Sequence, residues 1–195
     1  MDDYHIVLGT LGFFIGTIAY IPYLRDIYRG TTKPHPFTWF VFAIVNGIAF
    51  FAQLSEGGGP GSWILGLTVV ACTLFTLIGL KVGRSNITLF DWVCFVAALF
   101  GVLLWILTND ALIAVVVATV TDFLAFLPTV RKGYAQPYSE TASLFFLGGV
   151  KYALGISALQ TFTLTTVLFA GSITILNFLF VIMLLIRRRQ LKGTV

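Results

Sequence analysis

The chain has 195 residues, of which 58% are hydrophobic and only 10% charged, with a net charge of +4 and a mean hydropathy of +0.96. Ordinary soluble domains carry about 25% charged residues, and one of this size could not hide so much apolar surface from water. A soluble enzyme, a nucleic-acid-binding domain and a disordered chain are excluded, and the composition defines an all-α polytopic membrane protein.

In chain order the N-terminal Met1-Asp2-Asp3-Tyr4-His5 has no basic region, so no cleavable signal is expected. A helix needs about 20 apolar residues to cross the hydrocarbon core, and seven such spans are predicted. They cover roughly 5–23, 36–54, 61–81, 87–107, 111–129, 139–159 and 162–186. Glycine and proline separate them: 30–36 after the first span, the glycine-rich 56–61 after the second, then Gly83, Thr108-Asn109-Asp110 and Gln136-Pro137. The sixth and seventh spans meet at 159–162 with almost no loop.

The basic residues fall on one side of this arrangement. Arg25, Arg29 and Lys33 follow the first span, Lys81 and Arg84 the third, Arg131 and Lys132 the fifth, and Arg187, Arg188, Arg189 and Lys192 the seventh. Asp2, Asp3, Glu56 and Asp110 lie on the other side. The positive-inside rule then predicts an outside N-terminus and a cytoplasmic C-terminus, with the basic tail as a stop-transfer anchor. Very short loops fit a bacterial inner membrane.

The chain also matches itself at an offset of 106 residues. Ala19, Pro22, Arg25 and Tyr28 recur as Ala125, Pro128, Arg131 and Tyr134, and the register runs on without a gap through Thr68 over Thr174 and Lys81 over Arg187. Spans one to three therefore repeat as spans five to seven. The predicted organisation is 3+1+3, two parallel three-helix bundles over 1–85 and 110–195 with a linker helix over 86–109.

A 3+1+3 order with a proline near the cytoplasmic end of the first helix of each triple resembles the PQ-loop superfamily of SWEET-like (MtN3-type) membrane transporters. The resemblance rests in sequence on Tyr20–Tyr28 and Phe126–Tyr134. The proline of the motif is present as Pro22 and Pro128, while Tyr23 and Thr129 stand where the family has glutamine. The resemblance implies a central cavity between the bundles and alternating access. It also implies an asparagine in the third helix of each triple, which Asn177 matches and Ala71 does not.

Several residues are candidates for function. Pro22 and Pro128 each remove a backbone donor inside a membrane helix and so mark hinges or fixed kinks. Asp122 and Lys151 are charges inside apolar spans, at depths of about 16 and 12 Å from the outer face. Buried charges are expensive and usually pair or face a cavity, so an Asp122–Lys151 ion pair is expected. Its role is open between a structural pair, the floor of a binding site and a proton-coupling carboxylate. Asn46 and Asn177 offer amides within spans two and seven, for a ligand or for helix–helix bonds. Trp39, Trp63, Trp92 and Trp105 suit an interfacial belt, and Trp39 or Trp63 also suits stacking on a ligand. Asp91 suits the first turn of span four, and His35 a solvated loop. Cys72 and Cys94 read as small packing residues.

No catalytic motif, metal cluster or cofactor signature is present in the sequence, and the chain is not expected to be an enzyme. The expected function is alternating-access transport of a small polar metabolite such as a sugar, amino acid or vitamin. The cavity wall would come from Asn46, Asn177, Asp122, Lys151 and Trp39, with hinges at Pro22 and Pro128. The alternative is a non-transporting receptor or scaffold that binds a partner through 25–35 and 131–138. The expected partners are a small-molecule substrate, the lipid bilayer and, in a homo-oligomer, further copies of the chain.

Overall fold

A computed structural model describes residues 3–30, 34, 36–82, 89–138, 140 and 142–192. Seven α-helices follow one another: α1 (Asp3–Tyr28), α2 (Pro36–Ser55), α3 (Trp63–Val82), α4 (Leu89–Thr108), α5 (Ala111–Ala135), α6 (Ala142–Ser157) and α7 (Leu164–Lys192). A short 3-10 turn, Gly59–Ser62, leads into α3. No strand occurs among the described residues.

The helix ends follow from local chemistry. Pro36 opens α2, where its missing N–H costs nothing. Left-handed Gly30 (φ 71°) follows α1, and left-handed Gly57 (φ 73°) follows α2 with the Gly58 N–H closing back on the Gln53 carbonyl at 2.7 Å. Asp110 Oδ1 accepts the Leu112 N–H at 2.8 Å and caps α5. Thr163 and Thr166 cap the start of α7 reciprocally, each hydroxyl accepting the other's backbone N–H, at 3.2 and 2.9 Å.

Among the described residues, five helical stretches are long and apolar enough to cross a membrane: Tyr4–Arg25, Pro36–Ser55, Gly59–Lys81, Ala111–Ala135 and Leu164–Leu191. Large apolar side chains such as Phe14, Ile21, Val70, Leu80, Ile175 and Leu179 cover their outer faces, as expected of helices solvated by lipid. One element falls short of its expected span: α4 covers Leu89–Thr108, close to its expected length, whereas α6 stops at Ser157. Sixteen residues reach about 24 Å, against about 30 Å of hydrocarbon. In exchange α1 and α7 run longer than predicted, to Tyr28 and Lys192.

Within the first three helices, α3 packs between α1 and α2. Within the last three, α7 packs between α5 and α6. These two groups meet through α1 against α6 and α2 against α5, and α4 lies against α5 and α2. The core at this junction is built of small and branched residues, including Val45, Ala49, Ala52, Ala114, Val115 and Ala118.

The two ends of the bundle differ. Arg131, Lys81 and the α7 tail gather at one, here termed the basic end. There Arg188 donates to the carbonyls of Pro137 and Glu140, and the Arg187 guanidinium stacks 4.2 Å from the Tyr134 ring. At the opposite end the chain closes tightly on itself. A Cβ at Gly61 would lie 2.6 Å from the Gly155 carbonyl oxygen and 2.8 Å from the Leu159 nitrogen. A Cβ at Gly9 would meet the Pro60 oxygen at 2.8 Å. Gln53 donates from α2 to the Thr166 carbonyl of α7, the Gln160 N–H donates to the Gly58 carbonyl, and His5 Nδ1 lies 3.2 Å from the Ala158 carbonyl.

Candidate functional site: a polar cavity among six helices

A cavity of about 180 Å³ lies between the middle of the fold and the basic end. Six of the seven helices line it: Tyr20 from α1; Trp39, Phe42 and Asn46 from α2; Thr68 and Cys72 from α3; Asp122 and Phe126 from α5; Lys151 and Tyr152 among others from α6; Asn177 from α7. The five wall residues expected from the sequence, Asn46, Asn177, Asp122, Lys151 and Trp39, all face this one space.

The expected Asp122–Lys151 ion pair is not formed. Lys151 instead donates to Tyr20 Oη at 2.6 Å and Thr68 Oγ1 at 2.9 Å. Its ammonium lies 4.6 Å from the Tyr20 ring centroid and 4.7 Å from that of Tyr152. A glycine lets the stem reach them. Asp122's counterpart in the repeat is Gly16, and a Cβ there would sit 3.1 Å from Lys151 Cδ. The bare backbone at Gly16 is the groove along which the lysine stem crosses from α6 to α1 and α3.

Beside it, Tyr152 donates to Asn46 Oδ1 at 3.0 Å and approaches Thr68 Oγ1 at 3.3 Å. Asn46 Nδ2 is used within its own helix, on the Phe42 carbonyl at 2.9 Å. Lys151 and Asn46 are 4% and 3% exposed, so this network ties α6 to α1, α2 and α3 away from lipid. It satisfies the rule that polar groups inside a membrane bond to one another.

Asp122 and Asn177 differ from these. Neither makes a hydrogen bond or ion pair among the described residues, and neither carries a sealed, unsatisfied atom. Their polar atoms open on the cavity. Gly148 makes room for the Asn177 amide, whose nitrogen would lie 3.4 Å from a Cβ at that position.

Toward the basic end each bundle contributes an aromatic group to the wall. Phe75 lies 4.7 Å from Trp39 and 5.6 Å from Tyr20. Phe180 lies 4.5 Å from Phe145 and 5.2 Å from Phe126. Trp39 is thus a cavity residue rather than part of an interfacial belt, and its Nε1 donates to Tyr23 Oη at 3.0 Å. Trp63 and Trp92 are 41% and 50% exposed, as anchors should be.

Pro22 sits on the exposed face of α1, whose helix continues past it, and α5 is helical through Pro128. The side chains of Pro128, Asp91 and Cys94, and the whole of His35, Lys33 and Arg84, lie outside the described residues. Cys72 is free and buried, and it lines the cavity.

Sequence reasoning missed Tyr20, Thr68, Tyr152, Phe126 and Phe145. The repeat carried a signal for them: Tyr20 and Phe126, Trp39 and Phe145, Asn46 and Tyr152, and Thr68 and Thr174 are pairs at the 106-residue offset. Among the described residues no cluster of His, Cys, Asp and Glu could hold a metal. Comparison with family models, curated proteins and solved structures finds no match to this chain.

Proposed function

We propose that this is a seven-span membrane transporter built from two three-helix bundles, α1–α3 and α5–α7, joined by α4. It moves a small polar metabolite by alternating access. The observation that carries the reading is a polar cavity lined by both bundles, next to the basic end, with the opposite end tied together by hydrogen bonds. A scaffold has no need of an unpartnered carboxylate and amide around a space of about 180 Å³, since such groups are expensive in a membrane and mark substrate or ion paths.

The pattern of packing also supports two equivalent bundles. Exchanging α1, α2 and α3 with α5, α6 and α7 turns the α1–α6 contact into α5–α2, and α3–α6 into α7–α2. All four are made, which is the behaviour of parallel repeats about an axis along the membrane normal. The wall chemistry is asymmetric, with Asp122, Lys151 and Asn177 opposite Gly16, Val45 and Ala71. In this reading the basic end is cytoplasmic, the conformation is inward-facing, and Pro22 and Pro128 are the hinges.

The test is flux in proteoliposomes across labelled sugars, amino acids, nucleosides and vitamins. Protein-dependent flux of one class supports transport. No flux, together with a protein captured through 25–35 and 131–138, would replace it with a receptor.

A further inference from the structure

We infer that the ligand of this cavity is a zwitterion carrying an ammonium and a carboxylate, the amino-acid class, rather than a neutral sugar. The inference rests on the transport reading above and deepens it. Four observations carry it. Lys151 has three N–H donors, and its protein partners are two hydroxyls, Tyr20 and Thr68. One donor is left for a ligand, and among the described residues no anion pairs with the ammonium. Asp122 has no donor on either oxygen among the described residues. Both line the same cavity.

Opposite charges that share one cavity inside a membrane attract strongly, yet here they form no pair, the ammonium being held on the Tyr20 and Thr68 hydroxyls across the gap at Gly16. A bound zwitterion completes both charges at once. Its carboxylate takes the free Lys151 N–H, and its ammonium donates to Asp122 and to Asn177 Oδ1. A neutral polyol would leave both charges without a counter-charge, and a simple cation or anion would leave one. The cavity equals about six water volumes, room for a small molecule. Trp39, Phe42, Phe126 and Phe145 supply the apolar wall for a side chain.

The experiment is thermal stability and equilibrium binding of the full-length protein in detergent. Probes are the twenty common amino acids and glycine betaine, with glucose as the neutral control. For the strongest amino acid, its amide (cation only) and its N-acetyl derivative (anion only) are added. The zwitterion should bind the wild type roughly thirty-fold better than either half-charged analogue. Lys151→Met should lose the zwitterion preference and favour the amide. Asp122→Asn should favour the N-acetyl compound. This reversal distinguishes recognition from misfolding, because each variant must keep binding one probe.

Glucose binding that survives both substitutions would overturn the zwitterion while leaving transport intact. A zwitterion bound equally by both variants would overturn the assignment of the two charges. Absence of any binding would overturn the inference, and proteoliposome flux of another solute class would then show that the transport reading stands without it.

Discussion

Lys151→Met should make the protein more stable while removing its ligand. The substitution deletes an ammonium that is 4% exposed and bonded only to Tyr20 and Thr68, at 2.6 and 2.9 Å. Interhelical hydrogen bonds in membranes contribute about 0.6 kcal/mol each on average, so two are worth about 1.2 kcal/mol. Against that, an uncompensated lysine at helix centre costs about 2.5–3.5 kcal/mol on insertion scales. Methionine keeps the unbranched stem that fills the Gly16 groove, where the stem passes 3.1 Å from the position of a Cβ. The net expectation is stabilisation of about 1–2 kcal/mol, a rise of about 2–4 °C in the thermal midpoint per kcal/mol for a chain of this length. Ligand binding should fall at the same time, the usual opposition of stability and function at a charged site. The assay is a detergent melt read beside ligand binding in the same preparation. A lower midpoint with binding preserved would refute the reasoning, because it would make Lys151 a structural clasp.

Other substitutions separate the closed end from the cavity. Gly61→Ala places a Cβ within 2.6–2.8 Å of backbone atoms of Gly155 and Leu159, and should lower the melting midpoint by the equivalent of about 1–3 kcal/mol; an unchanged midpoint would mean the opposite end is not tightly closed. Gln53→Met removes the bond to the Thr166 carbonyl and also the buried, unpartnered Gln53 Oε1. Losing about 0.6 kcal/mol against relief of about 1–3 kcal/mol makes it neutral to stabilising by chemical denaturation, and a loss above about 2 kcal/mol would contradict this balance. Tyr152→Phe keeps the ring but cuts the bond to Asn46, for a cost of about 0.6–1.7 kcal/mol; a neutral result in the same melt would show that the network does not tie α6 to α2.

The sequence made the helices and their junctions legible because lipid imposes so few solutions. Apolar runs of about 20 residues have little choice but helix, and Gly30, Gly57 and Asp110 mark their ends by rules that act within a few residues. What it could not convey was rotation about each helix axis. Asp122 and Lys151 were placed at similar depths, which is one coordinate. Whether they touch depends on azimuth, and that is set by Gly16 on a third helix, distant in sequence. Trp39 left two readings open for the same reason. Near a helix start, a tryptophan suits an interface anchor or a ligand-stacking wall, and its ring packs on Phe75 and bonds Tyr23 because α2 turns that face inward. The α6 boundary slipped because Ala158 and Leu159 are apolar enough to read as span, yet they leave the helix, where the chain closes over the 3-10 turn.

The central claim, that one cavity is exposed to alternate sides, can be tested without knowing the ligand. Cys72 lines the cavity and is free, and Cys94→Ala removes the other thiol. At the opposite end, a Cβ at Gly155 would lie 3.4 Å from Ile64 Cβ, close to the roughly 3.5–4.5 Å separation found in disulfides. Ile64→Cys with Gly155→Cys should therefore bolt α3 to α6. In vesicles, a membrane-impermeant thiol reagent should reach Cys72 from both sides in the Cys94→Ala protein that lacks the two added cysteines, and from the basic side alone in the protein with the oxidised bridge. Labelling from one side in both proteins would contradict alternating access.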